Sequence, residues 1–341
     1  MDTSQRIFHF LQDNDWVPGL DDPSDIRFLA AGEYNENWLV TPREGPRAVF
    51  RINHGSQLGL TDQISYEFMV LTVLAASGVT PRPWRLDPRP AGWDLPGRGV
   101  LLMEYLPGRP LDYRTDAALA ARVFSRVHAQ PVPTRQPDSP AQPRLVVQAN
   151  PILDIAAESL GLIERFPEHP LRAEKRRLLA YHEEVLRLAE EAGPLLAGEP
   201  LVLVNSEVNS HNFIVHQGKC WLVDWEKAVL SQRYQDLGHF LVRTTTLWKS
   251  DVTYSDEEKR AFLREYLRDL VEIQAGRNPT LPDFDTVWRA TRILERTILL
   301  RALSWCFMAY VEYTQGDRAL SNADTFAKIR RYLEEMEWIL S

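Results

Sequence analysis

With 341 residues, the chain is long enough for a two-lobed unit or two domains around a large buried core. Its 47 acidic against 39 basic side chains leave a net charge of −8, which excludes a general nucleic-acid-binding surface, though not a local basic pocket. Cys220 and Cys306, the only cysteines, are too few for a disulfide framework or a cysteine zinc site and point to a reducing, cytoplasmic setting.

Residues 4–14 carry Ile7, Phe8, Phe10 and Leu11 on helical spacing and predict a short helix. This opening lacks a basic start and a long apolar run, so it does not read as a signal peptide. Residues 25–31, 38–41 and 47–52 read as strands, separated by a turn from Gly32 to Asn37 and another from Pro42 to Pro46. A strand–turn–strand with Gly and Asn at its tip can curl backbone N–H groups over phosphates, although most such turns are only turns. Residues 63–77 form an amphipathic helix with Ile64, Phe68, Leu71, Val73 and Leu74 apolar, ended by Gly78. Residues 84–87 and 99–103 give two more strands, split by the Pro/Gly-rich stretch 88–98.

From residue 117 the pattern turns helical, over 116–128, 152–166 and 172–193. The last of these alternates in charge and reads as a solvated surface helix. His128, at the end of the first, reads as structural rather than catalytic. Residues 131–143 hold five prolines and form a connector. Further on, residues 234–249 read as one helix, and Asp236 near its start can cap it or brace a neighbouring loop. Residues 256–274 are amphipathic, 285–313 are apolar on most faces and suit a central core helix, and 323–340 close the chain. The apolar run 293–309 is interrupted by Glu295, Arg296 and Arg301; no stretch reaches the length of a membrane span, and no membrane partner is expected.

Between these halves lies residues 201–237. The apolar run Leu201-Val202-Leu203-Val204 stops at Asn205, and nearly every residue from there to Asn212 can donate or accept a hydrogen bond. Phe213-Ile214-Val215, a turn at His216-Gln217-Gly218-Lys219, and Cys220-Trp221-Leu222-Val223 follow, ending at Asp224. This pattern is expected to bring Glu207, Asn212 and Asp224 to one end of a small hairpin. Converging oxygen ligands suit a Mg²⁺ ion carrying substrate phosphates, and a further carboxylate could receive a proton from an attacking hydroxyl.

The order Glu207, four residues, Asn212, eleven residues, Asp224 resembles the catalytic segment of the aminoglycoside phosphotransferase and choline kinase superfamily, kinase-like phosphotransferases of small molecules. That family reads His-Gly-Asp-x-x-x-x-Asn, then a hydrophobic strand ending in Ile-Asp-Trp/Phe-Glu. Here Asn205-Ser206-Glu207 stands where the family has His-Gly-Asp. Asn212 and Val223-Asp224-Trp225-Glu226 keep the pattern, and Asp236-Leu237 matches a later Asp-Leu pair.

The resemblance implies a bilobal α+β, protein-kinase-like fold. Residues 1–106 would form an N-terminal antiparallel-sheet lobe that covers a nucleotide. Residues 107–341 would form a larger, mostly helical lobe carrying the catalytic hairpin. It implies ATP and Mg²⁺ as cofactors and a hydroxyl of an aminoglycoside-, choline- or sugar-like small molecule as acceptor. Gly32, Tyr34 and Asn35 would cover the phosphates, Arg51 would grip them, and Glu67 would hold Arg51. Backbone groups at Glu104 to Leu106, in a Met-Glu-Tyr-x-x-Gly-like hinge, would read the adenine edge. Asn212 and Asp224 would hold the metal, and Glu207 would act as base. Glu207 in place of Asp leaves a second reading, a catalytically weak or inactive nucleotide-binding protein with a regulatory or partner-binding role. Glu295, Glu312, Trp305 and Tyr310 offer negative and aromatic surface that suits a cationic acceptor, although Trp305 and Tyr310 read more readily as core residues. Glu207, Asn209, His211 and His216 are poorly spaced for a transition metal. Ser206 and Ser210 lack a nucleophile elbow. Oligomeric state leaves no signature.

Overall fold

The computed structural model describes residues 2–32, 34–91, 99–132, 143–275, 281–315 and 323–340. Glu33, most of the Pro/Gly-rich 88–98 stretch and most of the 131–143 connector lie outside the described residues. By internal contacts the chain divides into two compact units. The first comprises Met1–Leu111, Gln130–Val146 and Asn212–Val229, and the second Asp112–Ala129, Val147–His211 and Leu230–Ser341. The fold is bilobal and kinase-like, with an antiparallel sheet lobe and a larger helical lobe.

Helix α1 (Thr3–Asp13) starts on an Asp2–Gln5 capping box and buries Ile7, Phe8, Phe10 and Leu11 against the sheet. Strands β1 (Ile26–Ala31), β2 (Asn35–Val40) and β3 (Ala48–Asn53) precede α2 (Gln63–Leu74), which Asp62 caps. Strands β4 (Pro83–Asp87) and β5 (Val100–Glu104) complete an antiparallel sheet of order β1-β2-β3-β5-β4. The central strand β3 is buried along its whole length. Its sequence, Ala-Val-Phe-Arg-Ile-Asn, therefore places an arginine and an asparagine in the interior, where each needs partners.

After the short β6 (Arg109–Pro110) come α3 (Ala117–His128), α4 (Pro151–Glu164), α5 (Arg172–Leu196) and β7 (Val202–Val204). Then β8 (Phe213–His216) and β9 (Lys219–Leu222) form a hairpin that β6 extends to three strands. Gln217 and Gly218 both take positive φ, 48° and 75°, the backbone a two-residue type I′ turn requires. Strand β7 is not part of this sheet; it pairs with β10 (Val229–Ser231), a strand too short to announce itself.

The expected helix over 234–249 is two, α6 (Tyr234–Leu241) and α7 (Arg243–Lys249). Val242 between them is extended and serves as the C-cap of α6 and the N-cap of α7. α8 (Asp256–Gln274) begins on a Ser255–Glu258 capping box. α9 (Phe284–Gln315) is the long core helix of the second unit. Gly238 lets α6 lie close on it: an added Cβ would meet Glu295 N at 2.9 Å. The closing helix is also two pieces, α10 (Ala323–Glu334) and α11 (Met336–Leu340). Among the described residues no helix is long and apolar enough to cross a membrane.

Candidate active site

In the first unit, buried polar residues of the sheet and α2 meet the segment after β9. Arg51 is 5% exposed, and its Nη1 donates to Glu67 Oε1 at 2.5 Å and to Asp224 Oδ1 at 3.2 Å. Its Nε donates to Asn37 Oδ1 at 2.9 Å, because β2–β3 register sets Asn37 opposite Arg51. Burial pulls the Arg51 pKa down, but Glu67, Asp224 and Glu226 push it above the ordinary arginine value, so the guanidinium stays charged. Burial drives the Glu67 carboxyl up against the pull of Arg51. Glu67 Oε1 also takes the backbone N–H of Trp225 at 3.4 Å, and the Trp225 ring is fully buried.

Asn212 and Asp224 stand at the open end of the β8–β9 hairpin. Phe213 pairs with Leu222, and Val223 N donates to Asn212 O at 2.8 Å. The Asp224 side chain is 42% exposed, and its backbone takes the left-handed φ of 66°. Two residues on, Glu226 gathers three side chains. It accepts from Asn35 Nδ2 and from Gln57 Nε2 at 3.1 Å, while its carbonyl takes Gln63 Nε2 at 2.8 Å. Asn53 Nδ2 completes the cluster by donating to Asn35 Oδ1 at 2.9 Å and to Gly55 O at 2.9 Å.

Asn35 is therefore a buried tie rather than a turn tip, while Gly32 N closes the turn on Asn35 O at 2.8 Å and Tyr34 O takes His54 N at 2.7 Å. Glu226, Gln57, Gln63 and Asn53 were given no role from sequence. At the hinge, Glu104 N donates to Arg82 O at 2.9 Å and Tyr105 N to Arg47 O at 3.3 Å; Leu106 is buried.

In the second unit, β7 runs into the Asn205–Glu207 loop, which hangs on one carboxylate. Asp236, near the start of α6 and fully buried, accepts Asn205 N at 2.9 Å and Ser206 N at 2.8 Å. His128 Nε2 lies 3.3 Å from the same carboxylate, and its Nδ1 lies 3.0 Å from Tyr266 Oη. Burial lowers the His128 pKa and Asp236 pulls it back. Ser206 O receives His239 Nδ1 and Arg301 Nη2, both at 2.8 Å. Ser206 itself has φ 67°. Asn205 Oδ1 takes Glu207 N at 3.3 Å, an Asx-type turn that leaves Glu207 exposed. Glu207 thus lies in the second unit and not on the β8–β9 hairpin that carries Asn212 and Asp224.

The acidic surface expected on α9 is otherwise engaged. Glu295 is buried in an ion pair with Lys259, and Glu312 pairs with Arg165 at 3.2 Å. Among the described residues no group of three or more His, Cys, Asp or Glu side chains is arranged to hold a metal ion.

This architecture is that of kinase-like phosphotransferases. The profile described as "Phosphotransferase enzyme family" matches residues 25–277, and the chain belongs to that family. Solved structures agree on the fold. A choline/ethanolamine kinase family protein from Mesorhizobium loti is 18% identical, with a TM-score of 0.59 over 98% of this chain and 95% of that one. The choline kinase of Cryptosporidium parvum Iowa II is 15% identical, with a TM-score of 0.62 over 99% and 96%. The amicoumacin kinase hAmiN, solved with AMP-PNP, Ca²⁺ and Ami, is 19% identical, with a TM-score of 0.60 over 99% and 96%. Curated protein sequences give no significant match.

Proposed function

We propose that the protein transfers the γ-phosphoryl group of ATP, as its Mg²⁺ complex, to a hydroxyl of a small molecule. The observation that carries this reading is the buried, permanently charged Arg51, joined to Glu67 on one side and to Asp224 on the other. Phosphoryl transfer asks for positioning and charge neutralisation more than for covalent chemistry. Arg51 would chelate α- and β-phosphate oxygens, and Glu67 would keep it aimed. The donor set suits the metal: Mg²⁺ takes one or two carboxylates or amide oxygens and fills its octahedron with phosphates and water. Asp224 would supply the carboxylate and Asn212 the neutral oxygen. Bound Mg²⁺ would neutralise charge on the β- and γ-phosphates. Gly32 and Tyr34 would cover the phosphates through backbone groups, with Asn35 holding their turn. At the hinge, Glu104 N and Tyr105 N are already paired, so Leu106 N–H and the carbonyls of Glu104 to Leu106 would meet the adenine. Glu207 would orient the acceptor hydroxyl and take its proton.

Asn205-Ser206-Glu207 in place of His-Gly-Asp favours one other reading, nucleotide binding with little transfer. Glu extends its carboxylate by one C–C bond, about 1.5 Å, and a misplacement of about 1 Å costs about 100-fold in rate. One experiment separates the two. Mg-ATP is expected to raise the melting temperature and to phosphorylate some member of a panel of alcohols, sugars and amino sugars. Glu207→Gln is expected to lose about 100-fold or more in kcat, with Glu207→Asp losing less. A Glu207→Gln enzyme as fast as the parent would remove Glu207 as base. Binding without transfer to any member would favour the second reading.

A further inference from the structure

Beside the Glu207 loop, the second unit carries a band of basic and aromatic side chains. Arg301 of α9 reaches Ser206 O, one residue before Glu207. One helical turn further along α9, Trp305 meets Trp248 of α7 edge to face, with ring centroids 6.0 Å apart. Trp248 also faces Lys328 of α10, whose Nζ lies 5.8 Å from the ring centroid. Lys249 follows Trp248, and His211 lies four residues beyond Glu207. Burial and the charge of Lys328 lower the Lys249 pKa, while Asp324 pulls the other way. Asp324 itself pairs with Lys328 at 2.8 Å.

Lys328 over the Trp248 ring and Lys249 next to Trp248 in the chain set two cations at one aromatic pair against the single carboxylate Asp324, and a bound anion relieves their repulsion. The carboxylates that would have suited a cationic acceptor, Glu295 and Glu312, are tied to Lys259 and Arg165. We propose that the acceptor carries an anionic group, a carboxylate or a phosphate ester, held by Lys249 and Lys328, with Trp248 and Trp305 against its carbon frame. This inference rests on the phosphotransferase reading above. In the reaction, the acceptor oxygen forms the new bond to the γ-phosphorus of ATP. The bond from that phosphorus to the bridging oxygen breaks, ADP leaves, and the hydroxyl proton passes to Glu207.

Matched six-carbon compounds test it: gluconate and glucose 6-phosphate as anions, glucose as the neutral member, glucosamine as the cation. The full chain is assayed with Mg-ATP by ADP release and by phosphorus NMR of the product. Its melting temperature is measured with Mg-AMP-PNP, alone and with each compound. At least one anion is expected to react with kcat/KM about tenfold or more above glucose and glucosamine. Gluconate in the lead marks a carboxylate, and glucose 6-phosphate marks a phosphate. The double variant Lys249→Gln/Lys328→Gln is expected to raise KM for that anion about tenfold with kcat within about twofold, while Lys249→Arg keeps the parent KM. Preference for glucosamine or glucose, equal response to all four, or anion turnover untouched by the double variant overturns the proposal. So does a protein stabilised by Mg-AMP-PNP that neither binds nor turns over any of the four. A melting temperature unmoved by Mg-AMP-PNP counts instead against the phosphotransferase reading itself.

Discussion

Arg51 and Asp236 are both charged side chains sealed in an interior, and they are compensated in different ways. Arg51, in the first unit, meets two carboxylates and an amide oxygen, all from side chains. Asp236, in the second, meets two backbone N–H groups and a histidine. The Arg51 cluster therefore depends on residue identity at Asn37, Glu67 and Asp224. The Asp236 anchor grips the main chain, whatever side chains the loop carries. That asymmetry explains how Asn205-Ser206-Glu207 can replace His-Gly-Asp while the loop keeps its supports, whereas the sequence Val223-Asp224-Trp225-Glu226 stays close to the family pattern.

The sharpest way to break the comparison is to strip each charge of its partners. Glu67→Ala leaves Arg51 buried with one of its two carboxylates removed and is expected to cost about 3–5 kcal/mol in denaturant unfolding. The pair Arg51→Met/Glu67→Leu is expected to regain most of that stability while losing all stabilisation by Mg-ATP. If the double variant is as unstable as the single, burial of an unpaired charge is not the cause. Asp236→Ala orphans two buried N–H groups rather than a charge, so the expected loss is smaller, about 2–4 kcal/mol. Equal losses at the two sites would erase the distinction.

The sequence made one of these regions more readable than the other. The Arg51–Glu67 ion pair could be foreseen through the family resemblance, which sets a helix glutamate beside the strand cation. Asp236, a carboxylate near a helix start, could be read either as a cap or as a brace for a neighbouring loop. Its two recipients, Asn205 N and Ser206 N, are backbone atoms that every residue owns, and no residue type marks them. The same limit hid β10, whose three residues take their register from β7 and from a bridge between Leu230 and Val147. It also hid the Val242 break, which a 3.6-residue apolar period runs straight across. Glu295 misled for the opposite reason: a lone carboxylate on an apolar helix reads as surface until Lys259, far away in sequence, is seen to neutralise it.

A smaller effect sharpens the Asp236 side through pH. Burial holds the folded-state pKa of His128 below its ordinary 6.5, so the unfolded chain takes up a proton near that pH that the folded chain refuses. Stability from this group is whole above about pH 6.5 and is lost as pH falls toward the folded value, with a slope approaching 1.4 kcal/mol per pH unit. His169 and His211 act in the same sense, so the reporter is a difference. Unfolding curves of the parent and of His128→Asn between about pH 5 and pH 7.5 are expected to differ in slope by up to one proton. Parallel curves would mean that His128 is charged when folded.

The smallest effect concerns Ser206, where the family pattern has glycine. Its φ of 67° lies in the left-handed region, which costs a residue with a Cβ about 1–2 kcal/mol and glycine almost nothing. The loop keeps that conformation because Asp236 holds the Ser206 N–H and because His239 and Arg301 hold its carbonyl, anchors that a serine side chain does not disturb. Ser206→Gly removes the strain but gives the unfolded chain about 0.5–1 kcal/mol of extra entropy, so a net gain of about 0.5–1 kcal/mol is expected. Ser206→Ala is the control, since it deletes the same hydroxyl and keeps the Cβ. Gain in the glycine variant with loss or no change in the alanine variant assigns the effect to backbone strain. Equal behaviour of the two would assign it to the hydroxyl and leave the left-handed residue without an energetic cost.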